Sequence, residues 1–103
     1  MTDLATHQAR LEGYLSRFRA SGVLNQIGGE ARPAASGATF DNHSPVDEAF
    51  ICRVARSDAE DVNAAAQAAK AAFPAWRDMP ATERKAILHR IADGIVARAE
   101  EIA

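Results

Sequence analysis

Apolar residues recur every three or four positions in three segments, which predicts three amphipathic helices. The first covers residues 3–20, the second ends at about Phe73 because Pro74 follows, and the third covers residues 82–103. Their apolar faces are Leu4, Leu11, Tyr14, Leu15 and Phe18; Val62, Ala65, Ala66, Ala69 and Phe73; and Leu88, Ile91, Ile95, Ala99 and Ile102.

Capping signals accompany these helices. Asp3 is a suitable N-cap and Ser21-Gly22 a suitable stop for the first helix. Ser57 and Glu60 have the spacing of a capping box, which predicts the start of the second helix. We expect Trp76 and Arg77 to lie in the connection after Pro74, with Trp76 buried there.

The third helix carries two unusual features. Gly94 lies in its interior at a cost of about 1 kcal/mol relative to alanine, which a close neighbour would explain. The helical pattern runs to Ala103 without a closing glycine, asparagine or proline. We therefore expect the chain to stop inside a larger fold.

Short extended runs separate the first two helices. Val23–Ile27 and the residues after Gly28-Gly29 predict a hairpin, because primed two-residue turns favour glycine, and Pro33 confines the return strand to an edge. Residues 38–42 and 50–55 predict further strands, with Phe50, Cys52 and Val54 on one face of the last.

Composition limits the core that these elements can form. Hydrophobic residues make up 48% of the 103 residues, but 24 of them are alanine. Alanine buries little apolar area, whereas ordering each residue costs about 1–2 kcal/mol of backbone entropy. We predict that the isolated chain is marginally stable or partly molten.

Charge and residue usage exclude several functional classes. The net charge of −2, with both signs interspersed, argues against a nucleic-acid partner. Neither a signal peptide nor a membrane span is recognisable, so we expect a cytoplasmic protein without a membrane partner. His7, His43 and His89 share no metal-ligand spacing, and Cys52 has no second cysteine to pair with.

Two features could carry chemistry but have simpler structural interpretations. Gly28-Gly29 could cradle a phosphate, but such a site needs a helix start, and the sequence continues to Pro33 instead. Cys52 could be a nucleophile, but a position in mid-strand offers no cationic or helix-dipole environment to lower its pKa. We interpret the first as a turn and the second as a small buried apolar side chain.

Residues 25–103 resemble the N-terminal part of the aldehyde dehydrogenase superfamily. Within it they are most similar to bacterial catabolic, NAD(P)-dependent members, such as hydroxymuconic semialdehyde dehydrogenases or short-chain aldehyde dehydrogenases. The segments that carry the resemblance are NQIGGE (25–30), FDNHSPVD (40–47), FICRVARSDAEDV (50–62), AAKAAFPAW (68–76) and ERKAILHRIADGI (83–95). Two positions depart from the family pattern: Ala31 replaces a bulky aromatic residue and Glu48 a glycine.

The resemblance implies an α/β fold for the parent enzyme, of which this chain is an incomplete α+β piece: an N-terminal helix, antiparallel strands and two helices. Residues 1–22 would be a helical arm, packed on its own domain or a partner subunit rather than on a membrane surface. Residues 23–103 would begin a cofactor-binding domain. The family's catalytic cysteine and glutamate and its nucleotide loop map onto no residue here, so we predict no catalytic, cofactor-binding or metal-ligating residue.

Two functions remain open at this point. In the first, the chain is the N-terminal part of a homo-oligomeric enzyme that oxidises an aldehyde to a carboxylic acid with NAD or NADP, and it is inactive without its C-terminal remainder. In the second, it is a non-catalytic module that docks on a larger subunit, or on itself, through open helix faces. A small unrelated enzyme is a third, weaker alternative.

Overall fold

The computed structural model describes residues 3–103. Its elements follow the predicted order of one helix, short antiparallel strands and further helices. They form two compact units, residues 1–68 and residues 69–103, and α2 contributes to both. The elements are α1 (Leu4–Ser21), β1 (Asn25–Ile27), β2 (Glu30–Arg32), β3 (Thr39–His43), β4 (Phe50–Ala55), α2 (Ala59–Asp78), α3 (Ala81–Ala97) and α4 (Ala99–Ile102).

Both predicted ends of α1 are confirmed. The Asp3 carboxylate accepts a hydrogen bond from the Thr6 N–H at 2.8 Å, as an N-cap does. Gly22 ends the helix with φ at 69°, and its N–H donates to the Phe18 carbonyl. A Cβ at Gly22 would lie 2.8 Å from the Arg53 carbonyl oxygen. This position therefore requires glycine both for its positive φ and for the space beside Arg53.

The Val23 backbone joins the end of α1 to the strand pair β3–β4. β3 and β4 run antiparallel, with Thr39 opposite Ala55. Val23 adds a parallel bridge on the other side of β4: its N–H donates to Arg53 O, and its carbonyl accepts from Ala55 N–H, both at 2.9 Å. The predicted strand 23–27 is therefore too long, because only residues from Asn25 onward belong to β1.

The Gly28-Gly29 hairpin is confirmed. β1 pairs antiparallel with β2, with Ile27 opposite Glu30. Gly28 and Gly29 have φ values of 61° and 81°, the left-handed conformation that a primed turn needs at both central positions.

Glu48 adopts a backbone conformation that disfavours a side chain. Its φ is 61°, and it is the single non-glycine residue with positive φ among residues 3–103. The turn is nevertheless hydrogen-bonded, because Glu48 N–H donates to the Ser44 carbonyl and Ser44 N–H to the Ala49 carbonyl. The left-handed region costs a residue with a Cβ about 1 kcal/mol or more.

Replacing Glu48 by glycine is expected to stabilise this turn by about 1 kcal/mol, because glycine removes the steric cost. Amide exchange in a peptide covering residues 44–49 should slow by about fivefold, measured by mass spectrometry. Glu48→Ala is the control, since alanine keeps the Cβ. Equal exchange in the glycine and alanine variants would contradict the proposed strain.

The predicted end of α2 at Phe73 is wrong, because the helix continues through Pro74 to Asp78. Proline removes one intrahelical N–H but leaves the following residues free to stay helical. Side-chain contacts support the last turn: the Arg77 guanidinium lies 5.6 Å from the Phe73 ring centre and bonds the Asp78 carboxylate. The helix ends directly before Met79-Pro80, where the residue preceding proline disfavours helical geometry.

Trp76 is consequently part of a helix rather than of a connection. Its side chain is 39% exposed, so the expectation that burial fixes it is wrong for this chain. The large apolar residues of the predicted α2 face, Val62 and Phe73, are exposed as well.

The predicted third helix is also interrupted. α3 ends at Ala97, and Arg98 has φ −112° and ψ 22° before the short α4. Arg98 N–H is shared between the Gly94 and Ile95 carbonyls at 3.2 Å each, which tightens this end of α3. The Arg98 guanidinium forms two hydrogen bonds with the Glu101 carboxylate.

Few apolar side chains are buried in the described residues. Ile27, Ala34 and Cys52 form this small core, all within the first unit. Cys52 is 2% exposed in β4, as its predicted face requires. Among residues 3–103, no helix is long and apolar enough to cross a membrane.

Candidate functional site

The most organised polar cluster lies at the start of α2. Asp61 is the one buried charged residue in the described part of the chain, at 7% exposure. One carboxylate oxygen accepts from the Ala35 N–H at 2.9 Å, and the other accepts from the Asp58 N–H at 3.0 Å. Asp61 therefore joins the loop after β2 to the first turn of α2. We call this contact set the Asp61 junction.

The predicted capping box is displaced by one residue. Asp58, not Ser57, accepts from the Glu60 N–H, and Asp61, not Glu60, reaches back to the residue before the helix. Ser57 instead donates its hydroxyl proton to Asn25 Oδ1 at 2.7 Å. The sequence alone suits either register, and the Ala35 N–H, 26 residues away from Asp61 in sequence, favours the second.

The hydrogen bonds of the Asp61 junction hold two backbone segments together. Hydrogen bonds from the Asp58 and Ala35 backbone lower the pKa of Asp61, so the carboxylate is held in its charged form. Its two oxygens are each occupied by a backbone N–H, and a general base needs an accessible oxygen and a raised pKa. Asp61 was not recognised from the sequence as part of a capping box, although its position three residues after Asp58 fits one.

Two small grooves flank the junction. One, of about 180 Å³, lies between β1 and α2, and the other, of about 220 Å³, lies beneath the loop after β2. Asn25 Nδ2 borders the first groove and has no hydrogen-bond partner in the described chain. A third cleft, of about 450 Å³, lies between the end of α1 and β4.

The residues considered for chemistry remain separate from these grooves. Cys52 is buried opposite Asn42 in the sheet. His43 contacts the Glu48 carbonyl and the edge of the Phe50 ring, so its role is local. Across the described range 3–103, no three His, Cys, Asp or Glu side chains are placed to hold a metal ion.

Comparison with known proteins gives a consistent family match. Residues 32–103 match the aldehyde dehydrogenase family. An aldehyde dehydrogenase of Deinococcus radiodurans is 39% identical over 97% of this chain and 21% of its own length. A 2-hydroxymuconic semialdehyde dehydrogenase of Pseudomonas putida is 47% identical over 74% of this chain and 16% of its own.

The fold is matched as well. The crystal structure of PnpE in complex with nicotinamide adenine dinucleotide superposes with a TM-score of 0.74 and 42% identity, over 77% of this chain and 16% of PnpE. The chain thus spans about a fifth or less of the length of these proteins.

Proposed function

The chain belongs to the aldehyde dehydrogenase family, and from that premise we propose that it supplies the N-terminal structural part of an NAD(P)-dependent enzyme that oxidises an aldehyde to a carboxylic acid. The observation that supports this proposal is the superposition on PnpE, which covers 77% of this chain but 16% of PnpE. In this proposal, residues 23–103 begin the cofactor-binding domain and residues 1–22 form an arm outside it.

The chemistry is proposed to lie outside these 103 residues. The best-ordered polar residue, Asp61, is engaged with backbone N–H groups, and Cys52 is enclosed in β4, so neither offers an accessible reactive group. The chain alone is therefore proposed to have no catalytic, metal-binding or cofactor-binding residue. NAD or NADP would be bound by the complete enzyme, in a reducing cytoplasm that suits a lone thiol.

Exposed helix faces support a requirement for a covering partner. Leu88, Ile91 and Ile95 of α3 are 56%, 55% and 54% exposed, and they follow one another at helical spacing. A contiguous apolar surface of this kind usually marks a contact with other protein. We propose that the remainder of the aldehyde dehydrogenase fold covers it, with self-association as the outcome in its absence and a homo-oligomer as the state of the complete enzyme.

A chimaera tests this proposal. The segment of PnpE that matches this chain is replaced by the corresponding residues of this chain, and NAD binding is measured by calorimetry. We expect the chimaera to fold and to bind NAD within about tenfold of PnpE, because the replaced segment is structural. The isolated chain should neither bind NAD nor reduce it with an aldehyde.

Three results would contradict the proposal: an unfolded chimaera, a folded chimaera without NAD binding, or aldehyde turnover by the isolated chain. A docking module that is not part of an enzyme would behave differently. It would leave the chimaera inactive and bind a separate subunit instead.

A further inference from the structure

Val23 occupies one edge of β4. β4 pairs with β3 on one side. On the other side, the Val23 N–H donates to the Arg53 carbonyl, and the Val23 carbonyl accepts from the Ala55 N–H, both at 2.9 Å. Neighbouring strands lie about 4.8 Å apart, so an added strand would have to take the place of Val23. Val23 therefore closes an edge that could otherwise pair with another chain.

α1 holds Val23 in this place through Gly22. The φ of Gly22 is 69°, and a Cβ there would lie 2.8 Å from the Arg53 carbonyl oxygen, so the end of the helix lies directly against the edge. α1 also packs on β4. The half-buried residues of α1 all lie in its second half: Tyr14, Leu15 and Phe18. The attachment is short, so it can open while β3 and β4 stay paired.

The charges around β4 make this strand complementary to a second copy of itself. Asp47 and Glu48 precede it, Arg53 and Arg56 lie at its end, and all four residues are exposed. In an antiparallel pair of β4 strands, the basic end of each lies beside the acidic end of the other, which is stabilising. A parallel pair would bring like charges together. Arg53 lies 4.0 Å from the Asp41 carboxylate, and this exposed ion pair contributes little that opposes the exchange.

We propose that α1 and Val23 form a latch on β4, and that release of this latch lets β4 pair antiparallel with β4 of a second copy of this chain. With the latch closed, the edge groups of Arg53 and Ala55 bond to Val23. With the latch open, the same groups need new partners, and the second copy supplies them. The proposal concerns the pairing of β4 and does not depend on the enzymatic role.

Val23→Pro tests the latch, because proline lacks the N–H that donates to the Arg53 carbonyl. Every chain in the experiment also carries Ile91→Lys and Ile95→Lys, which remove the exposed face of α3 as a separate cause of self-association. We expect Val23→Pro to tighten dimerisation by about tenfold or more in sedimentation velocity. Val23→Ala is the matched control: it keeps the N–H and should leave dimerisation unchanged.

Gly22→Ala is a second way to release the latch, because its Cβ meets the Arg53 carbonyl oxygen. It should also tighten dimerisation. A chain that stays monomeric with both Val23→Pro and Gly22→Ala would overturn the proposal. Loss of the helix signal at 222 nm with both substitutions would overturn it as well, because a latch opens without unfolding the remainder of the chain.

Charge reversal identifies the pairing. In the Val23→Pro chain, Glu48→Lys or Arg56→Glu should each weaken the dimer severalfold, because like charges then lie beside each other. An equal mixture of these two variants should dimerise again, since each basic end then has an acidic neighbour. A dimer that neither reversal weakens, or that the mixture does not restore, would show that β4 does not pair with β4 in this way.

Discussion

Replacing Asp61 by alanine is expected to open the Asp61 junction and to raise amide exchange at Ala35 and Asp58 by about tenfold or more. Both backbone N–H groups donate to this one carboxylate, and Asp61 is buried. Alanine leaves two donors without an acceptor at the point where the loop after β2 meets α2.

Hydrogen-exchange mass spectrometry of the PnpE chimaera measures this effect, with peptides covering residues 33–37 and 57–61. Asp58→Ala is the matched control. The Asp58 carboxylate accepts from Glu60 N–H and leaves the Ala35 bond intact, so exchange at residues 33–37 should not change. Equal exchange at residues 33–37 in both variants would show that Asp61 does not hold the loop.

The same junction predicts an acid sensitivity. Because hydrogen bonding lowers the pKa of Asp61 in the folded chain, its contribution is complete above the ordinary aspartate value of about 3.9. The contribution decreases as the pH falls below that value and is lost once the pH passes the lower folded-state pKa. Asp61→Asn should remove this acid limb, and peptide exchange between pH 5 and pH 2.5, corrected for intrinsic rates, would detect it.

The isolated chain is expected to unfold over a broad temperature range and to bind a hydrophobic dye strongly. Ile27, Ala34 and Cys52 are the buried apolar residues of the described chain, and two of the three are small. So little burial cannot offset the entropy of ordering some 100 residues. The PnpE chimaera, in which the helix faces are covered, should unfold more sharply and bind less dye.

Substitutions on the exposed apolar face of α3 (Leu88, Ile91 and Ile95) test whether this face, rather than general instability of the chain, causes dye binding and self-association. Ile91→Lys combined with Ile95→Lys should reduce dye binding and self-association of the isolated chain severalfold, as followed by fluorescence and sedimentation. Val96→Lys is the control, because Val96 is 75% exposed and projects away from the face. A sharp thermal transition with dispersed methyl resonances in the unsubstituted chain would contradict the expectation of a marginal core.

Local signals in the sequence placed most elements correctly. These signals depend only on a local side chain or φ value: the Asp3 side chain at the N-cap, and the positive φ of Gly22 at the helix end and of Gly28 and Gly29 in the turn. Such signals act over three or four residues, so they can be recognised without knowledge of the fold. The burial of Cys52 was predicted from the strand pattern, whereas Phe50, predicted on the same face of β4, is 44% exposed.

Where two local signals competed, contacts that the propensities do not contain decided between them. Two adjacent capping registers were available at the start of α2, and the distant Ala35 N–H selected the one that uses Asp61. Pro74 and Pro80 both can end a helix, and α2 continues to the second. In each case the decisive energy comes from a bond or a neighbouring geometry that a propensity does not contain.

The sequence by itself determined the family resemblance and the order of the elements, because both depend on residue identity and short spacing. The tertiary structure alone decided the Asp61 junction, the parallel bridge of Val23 to β4 and the exposure of Leu88, Ile91 and Ile95 on α3. The first two features connect residues that are distant in sequence, and the third depends on which residues pack against α3. Burial and pairing at such distances are properties of the packed chain.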